Sequence, residues 1–133
     1  PPARTENAQA AGAAAAPQEP GSGSVRYDTG GGPAGQGTAR LHLAPGRTGE
    51  NTLRVTLEDR RGRVAAAEEL RAAFTLPAES IGPLRFTEPA RTGPGSWEFS
   101  GVTLPRPGAW EAALTIRTSD VDQVTVTTTL TLP

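Results

Sequence analysis

The chain has 133 residues, with 13 basic and 14 acidic side chains, one histidine and a formal net charge of −1. This near-neutral balance gives no strong field that would favour nucleic acid or an anionic membrane surface. Cysteine and methionine are both absent, which excludes a disulfide framework, thiol catalysis and a copper(I) site built from soft ligands.

The first segment in chain order, residues 1–23, contains no Leu, Ile, Val, Phe, Trp or Tyr. A stretch without large apolar side chains cannot offset the entropy lost on ordering. We therefore predict a disordered Pro/Ala/Gly linker over residues 1–23 and one β-sandwich domain over residues 24–133. The glycine-rich stretch TGGGPAGQG follows at 29–37. It lacks a Gly-Lys-Ser/Thr ending, so we interpret it as a mobile connection and not as a phosphate-binding loop.

From Thr38 onward, apolar and polar residues alternate with a period of two, as in strands that bury one face. The alternating runs are centred near Leu41, Val55, Phe74, Leu84, Trp97, Leu114 and Val126. Gly, Pro and Asp cluster between them, as in EDRRGRV and RTSDVDQV, which we interpret as hairpin turns. The pattern predicts an all-β fold, an immunoglobulin-like antiparallel sandwich of about seven to eight strands.

Two details of this pattern are specific enough to check. The stretch VAAAEELRAAF is rich in helix formers, so a short helical turn near Ala65 to Leu70 is an alternative to strand there. Trp97 and Trp110 both fall on the apolar side of their runs. This position favours core packing for both indoles over an exposed sugar-binding platform.

The single histidine, His42, falls on the wet side of its run together with Arg40. A nearby cation disfavours metal binding, and metal sites usually need three or four ligands. Asp120 and Asp122 could offer oxygens to a hard cation, but calcium takes about six to eight of them. We expect these aspartates to hold a turn through backbone amides. We assign no metal site, and name His42, Asp120 and Asp122 as the residues that could contribute to one.

No catalytic residues are predicted. Glu68 and Glu69 are adjacent, so they point apart on either a helix or a strand, which does not suit paired acid–base chemistry. No Gly-x-Ser-x-Gly motif occurs. The serines also lack a plausible general base, because the single histidine has no acidic residue near it in sequence to orient it. The prediction is a protein that is not an enzyme.

Several motifs in order carry a resemblance to a known family. They are LAPGRTGENTLRVTLEDRRGRV, FTLPAESIGPLRF and GPGSWEFSGVTLPRPGAWEAALTIRTSDVDQVTV, which contain Gly49-x-Asn51, Asp59–Gly62, Gly93-Pro94-Gly95 and Gly108-x-Trp110. Over residues 38–132 the chain resembles the extracytoplasmic C-terminal domain of actinobacterial copper transport proteins of the CopC/CopD (YcnJ-like) type. It is similar, more loosely, to FixH/YtkA-like domains.

The resemblance implies an extracytoplasmic module attached to the cell membrane through segments outside this chain. Its implied partners are the membrane-embedded portion of the same transporter or an extracytoplasmic copper chaperone. From the charge balance we expect no nucleic-acid partner. We also expect no direct membrane insertion by this segment, because no stretch approaches the roughly 18 consecutive apolar residues that a membrane helix needs. The family's copper chemistry is assigned to its CopC-like domain and to membrane histidines and methionines. This chain has no methionine and no amino-terminal histidine, so copper ligation is not carried over to it.

The functional expectation is a non-catalytic accessory or interaction domain of a membrane copper transport protein. The Thr-rich last strand could accept a partner strand along its edge. One alternative is a weak Cu(II)-binding delivery module that uses His42 and carboxylates. Another is a generic sandwich for surface adhesion or polymer binding.

Overall fold

The computed structural model describes residues 21–30, 32 and 35–133. Within them the chain forms nine strands and no α-helix. The strands are β1 (Ser22–Asp28), β2 (Gln36–Ala44), β3 (Gly49–Glu58), β4 (Glu69–Leu76), β5 (Ile81–Phe86), β6 (Ala90–Gly93), β7 (Ser96–Leu104), β8 (Gly108–Arg117) and β9 (Gln123–Leu132). A 3-10 turn, Pro77–Glu79, lies between β4 and β5.

The strands form two antiparallel sheets, with orders β1-β2-β3-β7-β6 and β5-β4-β8-β9. With β1 set aside, the first sheet has the A-B-E-D order of an immunoglobulin-like sandwich. The second has its C-F-G order, extended by one strand beside C. The predicted all-β sandwich is therefore confirmed, with nine strands in place of seven or eight.

The alternation of apolar residues did not mark β1 and β6. β6 has four residues, none of them buried, and its backbone pairs with β7. β1 begins at Ser22, which pairs with His42, so the first strand starts inside the range predicted as linker. The rest of that predicted linker, residues 1–20, lies outside the described residues.

The core lies between the sheets and is built from the apolar parity of each strand, as the sequence predicted. Its largest fully buried side chains are Trp110, Phe74, Phe99, Leu43, Leu53, Leu57, Leu70, Leu76, Leu104, Leu114, Ile116 and Leu130. Trp110 is completely buried, and its indole Nε1 donates to the carbonyl oxygen of Arg106 at 2.9 Å. Trp97 is 7% exposed. Core packing of both indoles is confirmed.

The helical turn considered near Ala65 to Leu70 is wrong. Residues 64–68 form an irregular segment that crosses from one sheet to the other, and β4 begins at Glu69. Neighbouring elements use the backbone groups that a helix would need. Ala65 N donates to Leu57 O at 2.9 Å, and Arg91 Nη2 donates to Ala67 O at 2.8 Å. Tertiary contacts therefore override the local propensity.

Part of the glycine-rich loop between β1 and β2 is tied down, which its composition did not predict. Thr29 N donates to Gly35 O at 2.8 Å, and the buried Thr29 hydroxyl lies 2.8 Å from the Thr118 hydroxyl. Gly31, Pro33 and Ala34 lie outside the described residues. The described part of the loop thus docks on the turn between β8 and β9.

Candidate functional site

His42 lies on the exposed outer face of β2, as its position in the sequence predicted. Its neighbours across the ladder are Ser22 on β1 and Arg54 on β3. Arg54 in turn pairs with Glu98, with Nε and Oε2 3.1 Å apart. The imidazole therefore lies between a serine and a cation on a flat sheet surface, which does not suit a metal ion.

Asp120 and Asp122 lie in the turn between β8 and β9, and the structure corrects the role predicted for them. Ser119, not an aspartate, caps this turn. Its hydroxyl oxygen accepts from the amides of Val121 and Asp122, at 3.3 and 3.1 Å, and donates to Asp122 Oδ2 at 3.0 Å. The Asp120 side chain is 97% exposed, and its carboxylate lies 3.6 Å from Arg117 Nη1.

The structure does not bring His42 together with the two aspartates. Their turn follows Thr118, which contacts Thr29 just beyond the end of β1. His42 pairs with the start of β1, about 20 Å away at the rise of a strand. In the described part of the chain, no group of three or more His, Cys, Asp or Glu side chains is placed to hold a metal ion.

The register of β1 produces one contact that the sequence patterns missed. The Ser22 hydroxyl lies 2.7 Å from His42 Nδ1, the distance of a nucleophile from its base. No described acidic side chain bonds the other ring nitrogen, and both residues lie on an open sheet face. A serine–histidine pair needs an orienting group, an oxyanion site and a pocket. The contact between Ser22 and His42 has neither an orienting group nor a pocket. Only knowledge of β1 could have revealed it.

A groove at the β6 edge of the five-stranded sheet, here called the edge groove, holds about 640 Å³. One wall is the crossing segment at 64–67, and the other is formed by residues 91–95. Trp97 lines it, with the guanidinium of Arg91 4.4 Å above the ring centroid. Val64, 60% exposed, contributes an apolar lip. This is an apolar surface with a single cation beside an unpaired strand edge.

The edge of β9 is less open than the sequence suggested. Gly21 N donates to Thr131 O at 2.9 Å, and the Thr128 hydroxyl donates to Ser24 O at 3.5 Å. β1 therefore lies along the C-terminal half of β9 and links the two sheets at that side. The two sheets have four edge strands in the described part of the chain: β1, β6, β5 and β9. β1 and β9 contact each other, whereas β5 and β6 have no other edge strand beside them.

Comparison with protein-family models, with curated proteins and with solved structures finds no match to this chain. The similarity to copper transport domains thus remains a prediction made from sequence motifs. Within the described residues, no helix has the length and apolar character that crossing a membrane requires.

Proposed function

We propose that the chain is a non-catalytic interaction domain of a membrane copper transport protein, held on the extracytoplasmic side. The copper and membrane context comes from the motif resemblance. The observation that carries the interaction role is the edge groove, an apolar surface beside β6 with the arginine-covered indole of Trp97 in its wall.

The geometry of β6 suits an extended partner segment. β6 has a strand neighbour on one side only, so its other edge can pair with an added strand. An apolar side chain of that strand would enter the groove between Ala65 and Trp97, and a carboxylate would face Arg91. We therefore expect an extended segment that carries apolar side chains and an acidic residue. It would come from the membrane-embedded portion or from an extracytoplasmic copper chaperone.

Site-specific photocrosslinking tests this proposal in cells that express the complete natural protein. The two exposed large apolar side chains among the described residues, Val64 and Val121, provide a matched pair of probe positions, with exposures of 60% and 87%. A photoreactive residue at position 64 should crosslink to the membrane-embedded portion of the same protein or to an extracytoplasmic copper chaperone. The same residue at position 121, in the β8–β9 turn, should not. Equal crosslinking from both positions, or none from position 64, contradicts the proposal.

Copper titration separates this proposal from the alternative of a Cu(II) delivery module. If the domain is an interaction module, calorimetry with Cu(II) gives the same weak signal for the natural chain and for His42→Ala. A stoichiometric binding event that is lost in His42→Ala would support the delivery module instead. Asp122→Asn serves as the control, because Asp122 lies in the β8–β9 turn, whereas His42 lies on β2.

A further inference from the structure

A shallow cleft of about 270 Å³ lies on the outer face of the four-stranded sheet, away from the edge groove. We call it the Arg85 cleft. Its floor contains Ala73 of β4 and Ala113 of β8, which lie directly opposite each other in the ladder. Their short side chains leave a depression among longer polar ones. The polar side chains around it include those of Arg71, Arg85, Thr115, Gln123 and Thr125.

The charged groups that line this cleft are both cations. They are the guanidinium groups of Arg71 and Arg85, and no carboxylate lines the cleft among the described residues. Arg85 lies opposite Ala73 across the β4–β5 pair, and Arg71 is two residues from Ala73 on β4. Such diagonal neighbours on one face of a sheet are roughly 7–8 Å apart. Two guanidinium groups at this spacing can contact one small anion from two sides.

The positive charge of the cleft is not cancelled by its surroundings. Arg85 is exposed and forms no ion pair with a described carboxylate. Arg71 Nε is covered and lies 3.4 Å from Glu69 Oε2. Glu69 is itself held by Arg117, whose Nε donates to Glu69 Oε1 at 3.0 Å. One carboxylate thus serves two guanidinium groups, and a ligand would meet Arg71 through its terminal nitrogens and not through Nε.

Neutral donors lie beside the two guanidinium groups. Thr115 and Thr125 face each other across the β8–β9 pair, with their hydroxyl oxygens 2.9 Å apart. This contact uses the proton of one hydroxyl, so the other hydroxyl can donate to a ligand. The Gln123 side chain accepts from Arg71 Nη2 through its oxygen at 3.4 Å, which leaves its NH₂ group to donate elsewhere. The donors therefore come from four neighbouring strands.

A phosphate group suits this arrangement better than a carboxylate. A carboxylate has two oxygens in one plane, which a single guanidinium group can satisfy. A phosphate ester has several acceptor oxygens in tetrahedral directions and a charge of up to about −2. Those oxygens can accept from both arginines and from a threonine hydroxyl at the same time.

We infer that the Arg85 cleft binds a phosphate group, carried by a soluble phosphate ester or by a phospholipid head group, between the guanidinium groups of Arg71 and Arg85. This activity goes beyond the proposed interaction role, because it uses another surface and another class of ligand. The cleft shares no lining residue with the edge groove, so failure of either proposal leaves the other intact.

The first test is NMR chemical-shift mapping of the natural chain with inorganic phosphate at constant ionic strength. Acetate serves as the planar counterpart. We expect phosphate to shift the amide signals of Ala73, Arg85 and Ala113 until they saturate, and to bind more tightly than acetate. Absence of saturable shifts at these positions, or acetate binding as tight as that of phosphate, overturns the inference.

Arg85→Gln removes one guanidinium group and keeps a polar side chain. It should weaken phosphate binding about tenfold, which corresponds to the loss of a hydrogen bond to a charged group. Arg61→Gln is the control, because it changes the net charge equally at an exposed position in the turn after β3. This control should bind phosphate as the natural chain does. Equal affinities of the two variants overturn the inference.

Ala113→Val tests the shape of the cleft with both arginines in place. Valine suits a strand and fills the floor, so the saturable phosphate shifts should be largely lost. Ala109→Val, at an exposed position on the same strand, is the control and should retain them. Retention of phosphate binding in Ala113→Val would show that charge alone attracts the anion, and would overturn the inference.

Two further probes distinguish the sources of the phosphate group. Glycerol 3-phosphate, followed by NMR, represents a soluble ester, and vesicles of phosphatidylglycerol and phosphatidylcholine, followed by cosedimentation, represent a lipid head group. Binding of glycerol 3-phosphate at the same amide signals supports the soluble ester. Cosedimentation of the natural chain but not of Arg85→Gln supports the head group. Binding of inorganic phosphate without either of these results overturns the assignment to an organic phosphate.

Discussion

At the scale of single residues, Asn51 shows how one amide side chain determines a loop. Asn51 is 2% exposed. Its Oδ1 accepts from the amides of Gly46 and Arg47, and its Nδ2 donates to Arg47 O and Gly49 O. The extent of the network follows only from the fold.

Asn51→Ala should destabilise the domain by about 1–3 kcal/mol, because it leaves several buried backbone groups without partners. Urea unfolding followed by tryptophan fluorescence measures the change in the free energy of unfolding. Thr48→Ala, in the same loop but exposed, is the control and should change it by less than about 0.5 kcal/mol. Equal effects of the two substitutions would show that the amide network does not stabilise the loop.

Asp59 has a comparable role in the turn after β3. Its Oδ1 accepts from the amides of Arg61 and Arg63, at 2.8 and 3.0 Å. These backbone hydrogen bonds, Arg63 first and then Arg61, lower the pKa of Asp59, and nearby guanidinium groups add to the effect. A carboxyl group whose folded pKa lies below its unfolded value stabilises the fold above the unfolded pKa. That stabilisation is lost as pH falls through the folded pKa.

Asp59→Asn should therefore flatten part of the acid dependence of stability. The natural chain should lose more free energy of unfolding than Asp59→Asn as pH falls from neutral to below about 4. Urea titrations at a series of pH values and constant ionic strength provide the measurement. Asp120→Asn is the control, because the carboxylate of Asp120 accepts no backbone amide among the described residues. A control that flattens the profile equally would contradict this assignment.

At the scale of elements, the crossing segment at 64–68 shows why local propensity was misleading. Arg117, at the end of β8, pairs with Glu68 at 3.1 Å and with Glu69 at 3.0 Å, and its carbonyl oxygen accepts from Glu68 N. The hydrogen bond that Arg117 donates to Glu69, together with the nearby carboxylates, raises the pKa of Arg117. These contacts hold the segment extended between the two sheets, so its alanines do not form a helical turn.

Arg91 should support this segment and shield the indole beneath it. Arg91→Ala removes both the guanidinium above Trp97 and the bond to Ala67 O, and should cost about 1–2 kcal/mol. The tryptophan emission should shift to longer wavelength as the indole of Trp97 becomes more exposed to water. Arg85→Ala, at an exposed position on β5, should change neither quantity. An unshifted emission in Arg91→Ala would contradict the shielding role.

At the scale of the whole molecule, one core joins the two sheets, and β1 links them at one side. Leu130 of β9 is completely buried, and a Cβ on Gly23 of β1 would lie 2.8 Å from its Cδ2 atom. The two strands therefore pack closely where the sheets meet. The domain should unfold as one unit, because no subset of strands has a core of its own.

Leu130→Ala should destabilise the whole domain by about 2–5 kcal/mol through the cavity that it leaves. Val121→Ala, at a position 87% exposed, should change stability by less than about 0.5 kcal/mol. Urea unfolding followed by tryptophan fluorescence and by far-ultraviolet circular dichroism should give coincident transitions for all three proteins. Separate transitions from the two probes would contradict the single core.

The sequence predicted the fold class, the buried side of the strands and the position of His42 on an exposed strand face. It missed β1 and β6 because neither strand shows a full alternating run. Both strands belong to the sheet through backbone pairing, β1 with β2 and β6 with β7. It also missed the contact between Ser22 and His42, which depends on the register of β1. The edge groove combines residues from distant parts of the chain, so no local pattern could reveal it.

The amino-acid sequence by itself determined which side chains are buried, because a period of two assigns each residue of a strand to one face or the other. Only the tertiary structure decided which strands are neighbours, in what register, and where clefts remain between them. These features depend on contacts between residues far apart in the chain, such as Gly21 with Thr131 and Thr29 with Thr118. Alternation within one strand carries no information about such contacts.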